Sequence, residues 1–174
     1  MQRGIFIFIL AFGISFLLYH ITSGQPKWVT YHGDFASFKI RWDYEMDYKN
    51  EGSFFTYIIK DPKYPDCRLV ITKGHNQIKY NLSGKDGYET KISGPIKAVN
   101  TQGYERSGIN SRNLNWMEAY LYISVKGVYG PDTRLIYAAY DNAPDNLSAD
   151  FKEIITSIEV KDPINVEITP RSAP

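Results

Sequence analysis

Cysteine is nearly absent from this chain: Cys67 is the single one in 174 residues. An intramolecular disulfide is therefore excluded, and so is a zinc site built on cysteines. An excess of charge of one sign is also lacking. Lys and Arg total 20, and Asp and Glu total 19. Arg3 is the only charged residue before Lys27, which leaves 19 against 19 for the rest. A neutral body argues against nucleic acid, because phosphate binding needs concentrated Lys and Arg. It argues equally against an electrostatic grip on acidic membranes. Histidine is scarce too. His20, His32 and His75 stand apart, with no HxH or HExxH spacing. No GxSxG, P-loop or GxGxxG appears. The expectation is a protein without catalytic residues, cofactor or metal. Cys67 follows Pro65-Asp66, where a strand begins. As a nucleophile it would need His32 or His75 beside it, so a half-buried structural thiol is expected.

Before Lys27 the chain reads MQRGIFIFILAFGISFLLYHITSGQP. Arg3 is a positive start, and Gly4 to Tyr19 carries no charge. A helix of that run spans about 24 Å, short of the roughly 30 Å hydrocarbon core. Small residues follow at Thr22-Ser23-Gly24. This pattern predicts a secretory signal cleaved near Gly24. An uncleaved anchor formed by residues 4–21 is the rival reading. In both, the body works outside the cytoplasm, in the periplasm or extracellular space.

Alternation of period two dominates the body, so strands are expected to dominate. Phe38 to Lys49 reads FKIRWDYEMDYK, with Phe38, Ile40, Trp42, Tyr44, Met46 and Tyr48 alternating with charges. It predicts one long strand, or two joined by a bend, with those six on the core. Asn50-Glu51-Gly52 is a turn signal. Phe54–Lys60 and Arg68–Lys73 are the next strands. The segment from His75 to Gly94 is weakly patterned, and Tyr88 and Ile92 suit a short helix there. Lys97–Thr101 and Tyr104–Ile109 read as short strands around Gln102-Gly103. After the polar loop Asn110–Asn113 comes the best central strand, Trp116–Val125. Met117, Ala119, Leu121, Ile123 and Val125 line its core face. Trp116, Glu118, Tyr120, Tyr122 and Ser124 line the other. Tyr129-Gly130-Pro131-Asp132 turns the chain into Arg134–Tyr140.

Leu147, Phe151, Ile154, Ile155 and Ile158 recur at helical spacing and predict an amphipathic helix. Asn146 or Ser148 can cap it. Beyond Val160, Ile164, Val166 and Ile168 alternate, which suits a short strand or a disordered tail. The expected fold class is α+β: a mainly antiparallel sheet of six to seven strands with a C-terminal helix and room for one or two more. The expected units are residues 1–24 as leader, 25–160 as a single domain and 161–174 as tail.

The order of these elements resembles the PsbP-like fold. FASFKIRW opens it, NWMEAYLYIS and RLIYAAYD form its centre, and FKEIITSIEV closes it. The likeness covers Asp34 to Val160. Members include the extrinsic oxygen-evolving protein of photosystem II, a Ran-binding nuclear import adaptor and many exported bacterial proteins. The resemblance implies a non-enzymatic domain that docks on a larger partner. It carries over no binding residue, because no position-specific motif is present.

Aromatic residues are the compositional excess. Phe, Trp and Tyr make 15% of the chain, with 14 tyrosines. Tyrosine is a strand former, and it also suits interfaces and sugar stacking. The candidate partner-binding residues are Trp116, Tyr120 and Tyr122, with Trp42 where the opening strand bends, and Tyr64 and Tyr129 at loop tips. Their expected partner is an envelope protein, with a glycan or small ligand as the alternative. Asp43, Glu45 and Asp47 alternate on one strand and read as cross-strand ion pairs rather than as a carboxylate site. Asp141 to Asn146, DNAPDN, reads as turn and cap chemistry without EF-hand spacing.

Overall fold

The structure, a computed structural model, describes residues 27–51, 54–74, 82–123 and 134–161. These form ten strands, one α-helix and one 3₁₀ turn. In chain order the strands are β1 (Trp28–His32), β2 (Ala36–Arg41), β3 (Glu45–Glu51), β4 (Phe54–Lys60), β5 (Arg68–Gly74), β6 (Tyr88–Lys97), β7 (Gln102–Asn110), β8 (Asn115–Ile123), β9 (Arg134–Ala143) and β10 (Glu159–Val160). The helix α1 spans Asp145–Thr156, and the 3₁₀ turn spans Leu82–Gly84. Seven strands make one sheet in the order β3-β4-β5-β9-β8-β7-β6, and β1-β2-β10 make a second. All described pairings are antiparallel. The α+β class expected above therefore holds in outline. The strands number more than expected and divide between two sheets.

The long alternating stretch is two strands in two different sheets. After β2 the chain turns at Trp42-Asp43, closed by the Tyr44 N–H donating to the Arg41 carbonyl (3.1 Å). Arg41 also clamps Asp43 through Nε (3.0 Å) and Nη2 (2.8 Å). Alternation cannot continue through that turn. Phe38, Ile40 and Tyr44 are buried as expected, whereas Trp42 is 67% and Tyr48 41% exposed. The charges between them find varied partners. Lys39 reaches Glu153 on α1, and Lys60 on β4 reaches Asp47.

The core lies between one face of the large sheet, the small sheet and α1. Leu69, Ile71, Met117, Ala119, Leu121, Ile136 and Ala138 project from the large sheet, and Phe38 and Ile40 from β2. The helical stripe is borne out for Leu147, Phe151, Ile154 and Ile155, all fully buried on α1, whereas Ile158, also fully buried, lies past the helix end at Thr156. Each such side chain contributes about 1.5–3 kcal/mol of burial. The expected cap is not. Pro144 sits at the cap position with φ −65°, and no side chain caps the helix. Proline pre-sets that φ, and Ser148, already inside the helix, sets its Oγ 2.8 Å from the Tyr140 hydroxyl.

Helix was expected near Tyr88–Ile92, but β6 occupies it. A bulge between Thr90 and Ile92 shifts the register, which hides the period-two pattern. Gly108 on β7 makes that pairing feasible. A Cβ there would lie 1.8 Å from the Glu89 carbonyl oxygen. The β6–β7 turn is at Ala98–Thr101, where the Ala98 N–H donates to the Thr101 carbonyl (2.9 Å), and Gln102-Gly103 is already strand. The leader, the Tyr129–Asp132 turn and the Ile164–Ile168 alternation lie outside the described residues.

Candidate docking surface

The second face of the large sheet is built by the residues that alternate with the core. On β8 these are Trp116, Glu118, Tyr120 and Tyr122. Pairing sets Tyr104 opposite Tyr120, and Tyr120 opposite Tyr137. Three tyrosines thus stand side by side on three adjacent strands. The Tyr120 and Tyr137 rings are 5.3 Å apart and tilted. Tyr137 is buried, Tyr104 and Tyr120 are half-buried, and Tyr122 at the row's edge is 40% exposed. The Arg106 guanidinium lies 5.9 Å over the Tyr104 ring, a cation–π distance. Burial pushes the Tyr120 phenol up to about 12, with the charge of neighbouring Glu118 adding to it.

Trp116 shares this face but is no platform. It is fully buried, packed with Leu82, Tyr137 and Ala139, and its indole N–H donates to the Ile109 carbonyl (3.2 Å). The 3₁₀ turn covers it, which the weak pattern of that region concealed. Glu118 is fully buried as well. Its Oε2 accepts the Leu82 N–H at 3.1 Å and lies 3.5 Å from the Tyr137 hydroxyl, and its Oε1 has no partner.

The remaining candidates do not join this row. Trp42 lies in the turn before β3, and Tyr64 in the β4–β5 connection. By the strand registers both sit at the end of the sheet where β8 begins, whereas Tyr122 is near the other end. Tyr64 is half-buried against the core, 3.4 Å from Asn146 Nδ2. Trp42 is the most exposed large apolar side chain among the described residues. Beside it, Arg41 and the Tyr44 hydroxyl both bond Asp150 on α1 (2.9 and 2.7 Å). Tyr129 is not among the described residues.

The DNAPDN stretch serves the fold. Asp141 receives the Tyr88 hydroxyl, and Asn142 receives Asn110 Nδ2 (2.7 Å) and Arg112. Asn142 adopts φ 59°, a left-handed value that asparagine tolerates. Cys67 is more buried than expected, 3% exposed, and its thiol donates to the Asp141 carbonyl at 3.1 Å. Burial, helped by Asp141, pushes the thiol up to about 12. His32 is exposed and bonded to Ser37 Oγ (3.0 Å). Among the described residues no group of three His, Cys, Asp or Glu side chains could hold a metal ion, and no helix is long and apolar enough to cross a membrane. A shallow groove of about 280 Å³ beside Lys39, Val99 and Ser157 has Phe38 as its only aromatic lining, so it offers a sugar no pair of stacking rings.

Tyr104 and Arg106 were not among the sequence candidates. Their signal was the alternation in YERSGIN, which gains meaning only once Tyr104 is set opposite Tyr120. No known protein family and no curated protein matches the chain.

Proposed function

We propose that this chain is an exported, non-catalytic adaptor domain of the PsbP-like kind. It docks on another protein of the bacterial envelope through the tyrosine face of its large sheet. The observation that carries the reading is the row Tyr104–Tyr120–Tyr137 with Tyr122 exposed at its edge and Arg106 above it. Tyrosine and arginine are the residues that most often anchor interfaces, because each combines contact area with a directed polar group. Export rests on the uncharged apolar run at the start of the chain.

The test is gentle crosslinking in the native host, followed by capture of the tagged chain from the envelope fraction. One protein recovered near equal stoichiometry, and lost with Tyr122→Ala, supports the reading. Recovery of the chain alone in a host that expresses it at native level sinks it and favours a glycan or small ligand.

A further inference from the structure

We propose that the Leu82–Gly84 turn occupies, as a built-in ligand, a peptide site on the tyrosine face. From a partner protein this site takes a segment in which a branched aliphatic residue precedes an acidic one. The inference rests on the adaptor reading and specifies the partner's chemistry.

The strand register sets Arg106 directly opposite Glu118. Opposite charges in that relation ordinarily pair. Here no ion pair joins them. Arg106 Nη1 donates instead to Ser83 Oγ at 3.0 Å, and Glu118 Oε2 accepts the Leu82 N–H at 3.1 Å. One dipeptide therefore holds the two charges apart. Its leucine side chain, 4% exposed, fills a box formed by Trp116, Tyr137 and Ala139. Glu118 Oε1 stays buried and unpartnered. An orphaned buried carboxylate oxygen is costly and marks a place where a further donor belongs.

These contacts define what the site reads: a backbone N–H on the carboxylate, an aliphatic side chain in the aromatic box, and an acceptor on the guanidinium. A serine hydroxyl is a weak choice for that acceptor. A carboxylate there makes a charge-assisted, bidentate bond to arginine. A leucine–aspartate segment from a partner thus improves on the turn's own contacts, and its neighbouring N–H can satisfy Oε1. A partner segment reaches the box by displacing the turn. Gly84 ends it, and Gly87 follows in a left-handed conformation (φ 78°), which only glycine adopts freely. Once the turn departs, Arg106 and Glu118 face one another, so the uncovered face does not carry two bare charges.

The experiment is fluorescence anisotropy of labelled octapeptides centred on Leu-Asp, Leu-Asn or Ala-Asp, titrated with the purified protein. Leu-Asp is expected to bind about tenfold tighter than either of the others, the ratio that one charge-assisted bond or one buried aliphatic group supplies. Arg106→Gln removes the Asp-over-Asn preference. Leu82→Ala raises Leu-Asp affinity, because the competing side chain is gone. Should Leu82→Ala fail to fold, Ser83→Ala removes the hydroxyl that engages Arg106 and raises affinity about threefold. Equal binding of the three peptides, or unchanged affinity in the folded turn variants, overturns the inference. A captured partner lost on Tyr122→Ala without any peptide preference leaves the adaptor reading standing and this inference refuted. Peptide preference without a captured partner does the reverse.

Discussion

Raising the pH should invert the stability order of the native chain and Tyr140→Phe. Tyr140 is 3% exposed, beneath α1, with its hydroxyl 2.8 Å from Ser148 Oγ. Burial pushes the phenol from its ordinary 10.0 up to about 12. The folded pKa is thus raised above the unfolded one. The folded state holds the proton more tightly, so this contribution is complete below pH 10 and is lost as pH rises from about 10 to 12. With about 1.36 kcal/mol per unit, the native chain loses about 1.4 kcal/mol by pH 11 and about 2.3 by pH 12. Phenylalanine has no proton to lose. At pH 9 it costs about 1 kcal/mol for the missing hydrogen bond. The native chain is therefore the more stable at pH 9, the two are equal slightly below pH 11, and the variant leads by about 1 kcal/mol near pH 12. Urea unfolding of both proteins at half-unit steps from pH 9 to 12 measures the difference. The other tyrosines titrate in both proteins and cancel. A difference that stays constant across that range refutes the argument.

Four further outcomes are expected. Phe151→Ala, removing a fully buried ring packed against Tyr44 and Tyr140, costs about 3–5 kcal/mol in urea unfolding. Gly108→Ala drives a Cβ into the Glu89 carbonyl. It costs about 3 kcal/mol and speeds amide exchange along β6. Arg41 holds Asp43 below the ordinary carboxylate range, so the pair's stabilisation is present above the unfolded pKa and lost as pH falls through the folded one. Arg41→Met should flatten that acid limb in thermal melts. Cys67 should resist iodoacetamide at pH 8 in the folded protein and react fully in guanidinium, because its thiol is buried and its pKa is pushed up.

Local pattern was sufficient for a definite set of features. The strands Phe54–Lys60 and Arg68–Lys73, the two faces of β8 from Trp116 to Tyr122 and the buried stripe of α1 each depend on a periodicity within one element, and a periodicity is written in consecutive residues. The Asn110–Asn113 loop was legible for a similar reason. Asn110 Oδ1 accepts the N–H groups of Arg112 and Leu114 (3.0 and 3.1 Å), a purely local device. Pairing between distant segments was beyond that reach. The turn at Trp42-Asp43 sends one alternating run into two sheets, and its clamp includes Asp150, 109 positions away. The bulge at Lys91 erased the period that would have announced β6. The tyrosine face needed both kinds of information. Alternation places Tyr120 and Tyr122 on one face, while the burial of Trp116 and the alignment of Tyr104, Tyr120 and Tyr137 come from the 3₁₀ turn and the register of three strands. Composition and periodicity decide which residues can share a face. Only the tertiary structure decides which neighbours stand beside them and which are covered, because register and cover are set by contacts between residues far apart in the chain.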